Sequence, residues 1–194
     1  RLPFVGFSSD LVFNGAQTEP YVERDTVAPL NVYGVSKMNA ERDILKGGGA
    51  PLMIRTAAFF SPYDPHNFAA LVRRTLEEGR RLEAADLIVS PTYVPDLVDR
   101  TLDLLLDGAV GLRHLANRGA VTWADFARRL ARALELDPEL VVERPAAAFR
   151  WPAVRPPNSA LATEHGGGLP SLDDAIARYA IIARSEDLTP DPVT

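Results

Sequence analysis

Apolar and polar positions follow two different rhythms along this chain, and the two rhythms alternate. Short continuous apolar runs predict buried strands, and they occur at "LPFVGFSS" near the start and at 51–60, 86–90, 111–116 and 139–143. Apolar residues spaced three or four apart predict helices, at 31–46, 67–79 and 95–107, from Thr122 onward, and at 171–183. Strands that alternate with helices predict an α/β fold with a largely parallel sheet.

Turn-forming residues mark where these elements begin and end. Residues 11–31, "LVFNGAQTEPYVERDTVAPLN", are polar and rich in turn residues, and they predict a long surface loop of the kind that is usually functional or mobile. Gly47–Gly49 should end the first helix. Thr122 and Asp125 are predicted to form a capping box at the start of the fourth helix, and Ser171 with Asp174 is predicted to cap the last helix.

The composition is that of a globular protein, with 46% hydrophobic and 24% charged residues among 194. We expect one domain over 1–184 and a frayed tail over 185–194. A net charge of −5 and the lack of a lysine cluster argue against nucleic-acid and membrane-surface partners. No apolar run approaches the ~20 residues that span a bilayer. The chain has no cysteine, which excludes disulfides and fits a reducing compartment, so we expect a cytoplasmic protein.

One pair of residues stands out in "NVYGVSKMNAE", at the start of the first predicted helix. Lys37 is one of two lysines among 21 basic residues, and it lies four positions after Tyr33. Chance would produce this spacing roughly 0.05 times in such a chain. Because residues i and i+4 share a helix face, the Lys37 ammonium can favour the phenolate form of Tyr33 and suit it to general acid–base work. A half-exposed tyrosine beside a solvated lysine fits the pair alone equally well.

Ser9 gives the pair a possible partner. It ends the first predicted strand in "FSSD", at the carboxyl edge where open α/β sheets bind ligands. A hydroxyl at that edge can donate a hydrogen bond to a carbonyl oxygen that the tyrosine also contacts. Taken alone, a serine at a strand end is more often a turn or cap residue.

The sequence around these residues resembles the dTDP-4-dehydrorhamnose reductase family, a branch of the extended short-chain dehydrogenase/reductase superfamily. "FSSDLVFNG" is similar to the family's "STDYVFDG", and "PLNVYGVSKMNAE" is similar to its "PLNVYGRSKLAGE". Further blocks follow in family order: "IRTAAFF", "SPTYVPDLV", "RHLANRGAVTWADFA" and "RPPNSAL". The resemblance covers most of the chain, and it implies a partial Rossmann-type parallel sheet with a smaller substrate-binding lobe.

The resemblance also implies a role for each matching residue. Tyr33 would protonate the 4-keto oxygen of a nucleotide-linked sugar, Ser9 would polarise that oxygen, and Lys37 would hold the nicotinamide ribose of NADPH or NADH. Besides Tyr33 and Lys37, the cofactor would be contacted by the end of the next strand, at Arg55, Thr56, Ala57 and Ala58. The sugar nucleotide would be contacted by Ser9, Asp10, Asn67, Pro91, Thr92 and Arg155.

For two of these residues, Arg155 and Asn67, the type of side chain and its position in the sequence also bear on the role. The guanidinium of Arg155 suits a diphosphate because it can bind two oxygens at once, although a surface arginine between prolines is as common. Asn67 follows "DPH" and precedes a predicted helix, where a helix N-cap is the favoured interpretation.

The sequence departs from the family at the cofactor. Dinucleotide binding uses a glycine-rich turn between a strand and a helix, and none of the 13 glycines forms one. In the family, about half of the cofactor domain precedes the strand with which this chain begins. We therefore expect the chain to be the C-terminal portion of such a protein, inactive by itself, and dependent on an upstream part or another subunit. Its first strand, Leu2 to Phe7, would then form an apolar sheet edge prone to self-association.

Two substitutions leave the sugar undetermined. The family's aromatic residue in "STDYVF" is Leu11 here, and its Trp in "RTSWVY" is Ala58. The aromatic residues Phe59, Phe60, Tyr63 and Phe68 could rebuild a pocket or could belong to the core.

Competing sites are poorly supported. The histidines His66, His114 and His165 lack metal-ligand spacing, so we expect no metal, and His114 should be a strand residue. No G-x-S-x-G accompanies Ser8 or Ser9, which argues against a hydrolase. We expect an NAD(P)H-dependent reductase of a nucleotide-linked 4-keto-6-deoxy sugar. The alternative is a non-catalytic module of the same fold that binds a sugar nucleotide or NADP, or that regulates another enzyme.

Overall fold

Residues 3–185 are described by the computed structural model of this chain. The strands in chain order are β1 (Val5–Ser9), β2 (Leu52–Thr56), β3 (Phe59–Phe60), β4 (Leu82–Ala85), β5 (Ile88–Val89), β6 (Thr92–Tyr93), β7 (Gly111–His114), β8 (Val121–Thr122) and β9 (Val141–Arg144). The α-helices are α1 (Val32–Lys46), α2 (Phe68–Glu77), α3 (Val94–Leu106), α4 (Trp123–Ala133) and α5 (Leu172–Arg184). Among these residues, no helix is both long and apolar enough to cross a bilayer.

A parallel sheet of three strands, in the order β1-β2-β7, carries the predicted site at one end. In its register Ser9 lies opposite Thr56, and Arg55 lies between Ser8 and His114. β2 is buried along its whole length, as expected of a central parallel strand, and α3 packs on the sheet through Leu97 and Leu104. The expected α/β class with a partial Rossmann-type sheet is confirmed.

A second hydrophobic core lies outside this three-stranded sheet. It joins α2, α4 and α5 to the two-stranded parallel pairs β3-β6 and β4-β9. Phe60 lies at its centre, with the rings of Tyr93, Phe126 and Tyr179 5.2, 5.2 and 5.8 Å away between centroids. Phe60 is therefore a core residue rather than part of a ligand pocket.

The helices begin where the sequence places capping side chains. The Asn31 side chain accepts a hydrogen bond from Gly34 N and caps α1. Thr122 accepts from Asp125 N and Ser171 accepts from Asp174 N, so both N-caps are confirmed, although the Asp125 carboxylate accepts from Arg129 instead of completing a capping box. The predicted strand over 111–116 and its residue His114 are likewise found in β7.

The strands around residue 58 and residue 86 differ from the prediction. The run 51–60 is two strands rather than one, because Ala58 adopts a left-handed φ of 42° and turns the chain between β2 and β3. The sequence prediction also missed β4, where only Leu82, Ala84 and Ala85 are buried and Glu83 faces solvent. A four-residue strand gives too short an alternation to be distinguished from a helix end.

The long loop predicted over 11–31 is confirmed, since no α-helix or extended strand lies between the 3₁₀ turn Asp10–Val12 and α1, but part of this loop is buried rather than on the surface. Val12 and Phe13 are completely buried and Tyr21 is 2% exposed, because this segment covers the end of the sheet with its own apolar cluster. Tyr21 N donates to the Ala160 carbonyl at 2.7 Å, and Ala162 N donates to the Tyr21 carbonyl at 2.8 Å. The segment is thus held by backbone pairing that hydrophobic periodicity does not reveal.

β1 is an edge strand within the described residues, since it pairs there with β2 alone. Phe4 and Phe7 on this edge are 50% and 46% exposed. The open apolar edge strand expected for Leu2 to Phe7 begins at Val5 in the structure and ends at Ser9. Leu2, and residues 186–194 of the expected tail, lie outside the described residues.

Candidate active site

A cavity of about 320 Å³ opens at the carboxyl ends of β1 and β2. It brings together many of the predicted residues, namely Ser9, Asp10, Tyr33, Thr56, Ala57, Ala58 and Arg155. Other residues on its wall are Ser8, Leu11, Phe59, Leu87, Val89, Trp123, Pro156 and Ser159. This edge of the sheet is where parallel α/β folds bind ligands.

Ser9 ends β1 and caps the 3₁₀ turn Asp10–Val12 that follows. Its hydroxyl accepts a hydrogen bond from Leu11 N at 3.1 Å and donates one to Asp10 Oδ1 at 2.9 Å. The residue therefore combines the two interpretations that its position allowed, because it is a cap and it also lines the cavity.

Asp10 supplies a carboxylate to the cavity wall, and 7% of its surface is exposed. Its second oxygen, Oδ2, accepts a hydrogen bond from Ser159 Oγ at 2.6 Å. Burial raises the pKa of Asp10 above its ordinary value, even though the hydrogen bonds from Ser159 and Ser9 favour the charged form. The sequence prediction missed Ser159, although it belongs to the block "RPPNSAL" that was quoted for the family resemblance.

Tyr33 and Lys37 lie one turn apart on α1, as their spacing predicts. Tyr33 forms part of the cavity wall and is 51% exposed. Lys37 Nζ lies 5.6 Å from the centroid of the Tyr33 ring and donates to the Phe7 carbonyl of β1 at 3.1 Å. The ammonium thus stands between the tyrosine and the strand that ends in Ser9.

Gly34 is the residue that lets α1 approach the 3₁₀ turn. A Cβ at this position would lie 2.1 Å from the Leu11 carbonyl oxygen and 2.8 Å from Pro29 Cβ. Only glycine allows such a close backbone approach, which brings Tyr33 next to Ser9. This role of Gly34 was not predicted, and its position directly after Tyr33 was the signal in the sequence.

Arg55 has a different environment from its neighbours at the end of β2. Thr56, Ala57 and Ala58 line the cavity, whereas the Arg55 guanidinium forms two hydrogen bonds with the buried Glu41 carboxylate, at 2.9 and 2.7 Å. The guanidinium also lies 5.0 Å from the centroid of the Phe13 ring. The Arg55 side chain therefore ties α1 and the 11–31 segment to the sheet, and it does not face the cavity.

His114 completes this buried cluster on β7. Its Nε2 lies 3.3 Å from Arg55 Nη1, so Nε2 is the acceptor and the proton is on Nδ1, which lies 2.9 Å from the Ala162 carbonyl. Burial lowers the pKa of His114, and the Arg55 charge adds to this effect, while Glu23 opposes it. No group of three His, Asp or Glu side chains among residues 3–185 is placed to hold a metal ion.

Asn67, Pro91 and Thr92 do not line the cavity. Asn67 caps α2 by accepting from Ala70 N at 3.1 Å, and its amide donates to the Ser61 and Asp64 carbonyls, so the favoured N-cap interpretation is confirmed. Pro91 is buried. Thr92 is fully buried behind the wall, with its hydroxyl 3.5 Å from that of Thr56.

Arg155 lies between this cavity and a second one of about 380 Å³. The second cavity has an aromatic wall formed by Phe68, Trp123, Phe149 and Trp151. Phe149 and Trp151 stack with ring centroids 4.8 Å apart and planes 9° from parallel, and the Arg155 guanidinium lies 5.4 Å from the Trp151 ring centroid. These rings were not predicted as site residues: Phe149 and Trp151 lie close to Arg155 in the sequence, but only tertiary packing brings Phe68 and Trp123 to them.

Comparison with known proteins gives one consistent result. The family model described as "RmlD substrate binding domain" matches residues 1–168. A probable dTDP-4,6-dihydroxy-2-methyloxan-3-one 4-ketoreductase from Streptomyces antibioticus is 34% identical over 90% of this chain and 60% of the relative. A dTDP-4-dehydrorhamnose reductase from Burkholderia thailandensis is 31% identical over 83% of this chain and 59% of the relative. The chain thus spans about 60% of the length of these relatives.

A solved structure agrees with the sequence relatives. The dTDP-4-dehydrorhamnose reductase of Bacillus anthracis, in complex with NADP, superposes with a TM-score of 0.86 at 28% identity. The match covers 92% of this chain and 65% of that structure.

Proposed function

The chain belongs to the RmlD substrate binding domain family, and from this membership we propose that it serves the NAD(P)H-dependent reduction of a nucleotide-linked 4-keto-6-deoxy sugar. The observation that carries the proposal is the cavity shared by Ser9 and Tyr33, with Lys37 one turn further along α1. One of the relatives is named a dTDP-4-keto-6-deoxy-D-glucose reductase, from Streptomyces niveus. The proposed ligand is therefore a dTDP-linked ketosugar.

The chemistry of each side chain follows from its place on the cavity wall. Tyr33 would give its phenolic proton to the 4-keto oxygen, and Ser9 would donate a hydrogen bond to the same oxygen. Lys37, anchored by the Phe7 carbonyl, would place a positive charge near the oxygen anion that Tyr33 becomes after proton transfer. Thr56, Ala57 and Ala58 would form the neighbouring wall, whose small side chains leave room for a flat ring.

The residues present fit the nicotinamide end of the cofactor. Nicotinamide supplies a hydride when it is bound, and a ribose needs hydroxyl or ammonium partners such as those of Tyr33 and Lys37. The Lys37 ammonium forms no ion pair with a carboxylate within residues 3–185, so its remaining protons can bind ribose hydroxyls. No glycine-rich turn of this chain is available for the pyrophosphate.

The second cavity would receive the nucleotide. Aromatic faces such as that of Trp151 stack on a base, and Arg155 stands at the junction where the diphosphate would pass. Arg155 pairs with no carboxylate in the described part of the chain, which leaves its guanidinium available to phosphate oxygens. Asn67, Pro91 and Thr92 would act behind the wall rather than touch the sugar.

The proposal includes the setting of the reaction. Residues 1–184 would act as one sugar-nucleotide-binding domain. The reaction would take place in the cytoplasm, a reducing compartment that suits a chain without cysteine. A glycine-rich cofactor segment would come from another part of the polypeptide or from another subunit.

Tyr33→Phe in the longest natural polypeptide that carries this sequence tests the proposal. We expect it to abolish NADPH oxidation that depends on dTDP-4-keto-6-deoxyglucose while leaving the melting temperature unchanged. Tyr63→Phe is the matched control, because Tyr63 is 68% exposed and lies outside the first cavity. Unchanged turnover in Tyr33→Phe, or binding of the ketosugar nucleotide without any turnover in the unaltered protein, would refute the proposal.

A further inference from the structure

We propose that Asp10 is a positioning residue whose protonation state sets the direction of the Ser9 hydroxyl in the first cavity. The inference rests on the proposed function, because that function requires Ser9 to donate a hydrogen bond to the ligand's carbonyl oxygen. The inference adds Asp10 as the residue that keeps the Ser9 hydroxyl pointing toward the ligand's carbonyl oxygen.

The hydrogen bonds of Ser9 show why a second group must control it. A hydroxyl has one proton to donate and two lone pairs to accept with. In the structure the proton points to Asp10 Oδ1 at 2.9 Å, and one lone pair accepts from Leu11 N at 3.1 Å. While Asp10 is a carboxylate, which can only accept, the proton of Ser9 is held by Asp10 and is not available to a ligand.

A protonated Asp10 reverses this arrangement without breaking any contact. The acid proton on Oδ1 would be donated to the second lone pair of Ser9, and Leu11 N would keep the first. The hydroxyl proton of Ser9 is then free to point at a carbonyl oxygen in the cavity. Ser159, which donates to Oδ2 at 2.6 Å, keeps its hydrogen bond in both states. The number of hydrogen bonds within the cluster is therefore the same in the two states.

The surroundings of Asp10 make the neutral form accessible. The residue is 7% exposed, and no cation forms an ion pair with it among residues 3–185. The ionisable groups that share its cavity are Tyr33 from α1 and Arg155 from the segment before Ser159; Lys37 donates to the Phe7 carbonyl instead. Burial shifts the equilibrium toward the acid, and a diphosphate ligand would add negative charge in the same direction.

The first test needs no ligand. We would follow the ¹³C resonance of the Asp10 carboxyl carbon by NMR against pH, in the chain of 194 residues, with Asp10→Asn to assign the signal. We expect the titration midpoint to lie above that of the exposed aspartates, and to rise further in Ser9→Ala and Ser159→Ala, because each removes a donor to the carboxylate. A midpoint at or below the ordinary value, or one that neither variant moves, would overturn the inference.

The second test measures the direction of the Ser9 hydroxyl through binding. Calorimetry would compare dTDP-4-keto-6-deoxyglucose with dTDP-6-deoxyglucose, which differs only in having a hydroxyl in place of the 4-keto group. We expect the affinity for the ketosugar, divided by the affinity for the hydroxyl sugar, to fall about fivefold as the pH rises through the Asp10 midpoint. A fivefold change is roughly what one neutral hydrogen bond contributes. Asp10→Asn, whose amide can donate to Ser9 as the acid does, should keep the low-pH preference at every pH. Ser9→Ala should lack the preference throughout.

The outcomes separate the two proposals. Failure of both dTDP-sugars to bind would count against the proposed function, while the NMR titration would still decide the protonation of Asp10. Binding with a preference that does not change with pH in the unaltered chain, or that changes equally in Asp10→Asn, would overturn the role of Asp10. Asp10→Leu, similar in size but unable to accept the Ser9 proton, should show a preference that does not change with pH, and a pH dependence that survives in this variant would assign the effect to another group.

Discussion

Gly34 on α1 lies against the Leu11 carbonyl so closely that a Cβ at position 34 would sit 2.1 Å from that oxygen. This contact joins the helix that carries Tyr33 and Lys37 to the turn that follows Ser9. The geometry of the candidate site therefore depends on a residue that has no side chain.

Gly34→Ala should destabilise the fold by about 1–3 kcal/mol, because the helix must move away from the turn to relieve the overlap. Urea denaturation followed by circular dichroism would measure the loss. Gly47→Ala at the end of α1 is the matched control: its φ of −66° suits alanine, and the nearest atom to its Cβ would be 3.3 Å away. Equal stability of the two variants would contradict the close approach.

Glu41→Ala should cost about 3–5 kcal/mol of unfolding free energy, because it leaves the Arg55 guanidinium buried without its partner. Both side chains are 5% exposed, and their closest contact is 2.7 Å. The control is Asp43→Ala, which breaks the exposed Arg42–Asp43 pair on the same helix and should cost no more than about 1 kcal/mol. Chemical denaturation of the two variants at one pH makes the comparison. Similar losses would mean that the buried pair contributes no more than a surface pair.

The stability of the chain should decrease as the pH falls below about 6.5, the ordinary pKa of histidine. Burial lowers the pKa of His114 in the folded state, so the unfolded chain binds a proton that the folded chain does not. The contribution of His114 is therefore present above pH 6.5 and is lost as the pH falls toward its folded pKa.

Melting temperatures at pH 7.5 and pH 5.5 would measure this effect. His114→Gln should reduce the pH dependence in that window, whereas His66→Gln should preserve it because His66 is exposed. A pH dependence that survives unchanged in His114→Gln would show that other groups cause it.

Trp151→Ala should weaken the binding of dTDP about tenfold, since stacking of a base on an aromatic ring is worth about 1–3 kcal/mol. Calorimetry on the unaltered chain and the variant would measure the change. Val154→Ala is the control, because Val154 is 64% exposed in the same segment and does not line the aromatic cavity. Equal affinities of Trp151→Ala and the unaltered chain would place the base elsewhere.

Phe7→Lys should reduce self-association of the chain. Phe7 is 46% exposed on β1, whose outer edge has unpaired backbone groups within the described structure, and a lysine there hinders pairing with another strand. Sedimentation velocity over a range of concentrations would detect the change. Leu106→Lys, which removes an exposed leucine from α3 rather than from the sheet edge, should leave the association unchanged. A monomer at all concentrations in the unaltered chain would contradict the prediction.

The sequence was sufficient to predict features that depend on residues close together in the chain. The spacing of Tyr33 and Lys37 places both on one face of α1, because the helical repeat is a property of the backbone. The caps at Thr122 and Ser171 were predictable for the same reason, since a capping hydroxyl bonds to a backbone N–H only three residues away. Family motifs added the position of Ser9 at the end of β1.

Which side chains are buried, and which way each side chain points, was decided only by the tertiary structure. Arg55 and Thr56 are neighbours in the sequence, but successive side chains of a strand point to opposite faces, so one joins Glu41 and the other lines the cavity. The 11–31 segment is polar in composition, yet Phe13 and Tyr21 are buried because they meet Leu161 from the far end of the chain. The aromatic cavity beside Arg155 likewise joins residues separated by more than eighty positions. Local spacing determines which residues share an element, whereas long-range packing determines which elements meet and which side chains face the ligand.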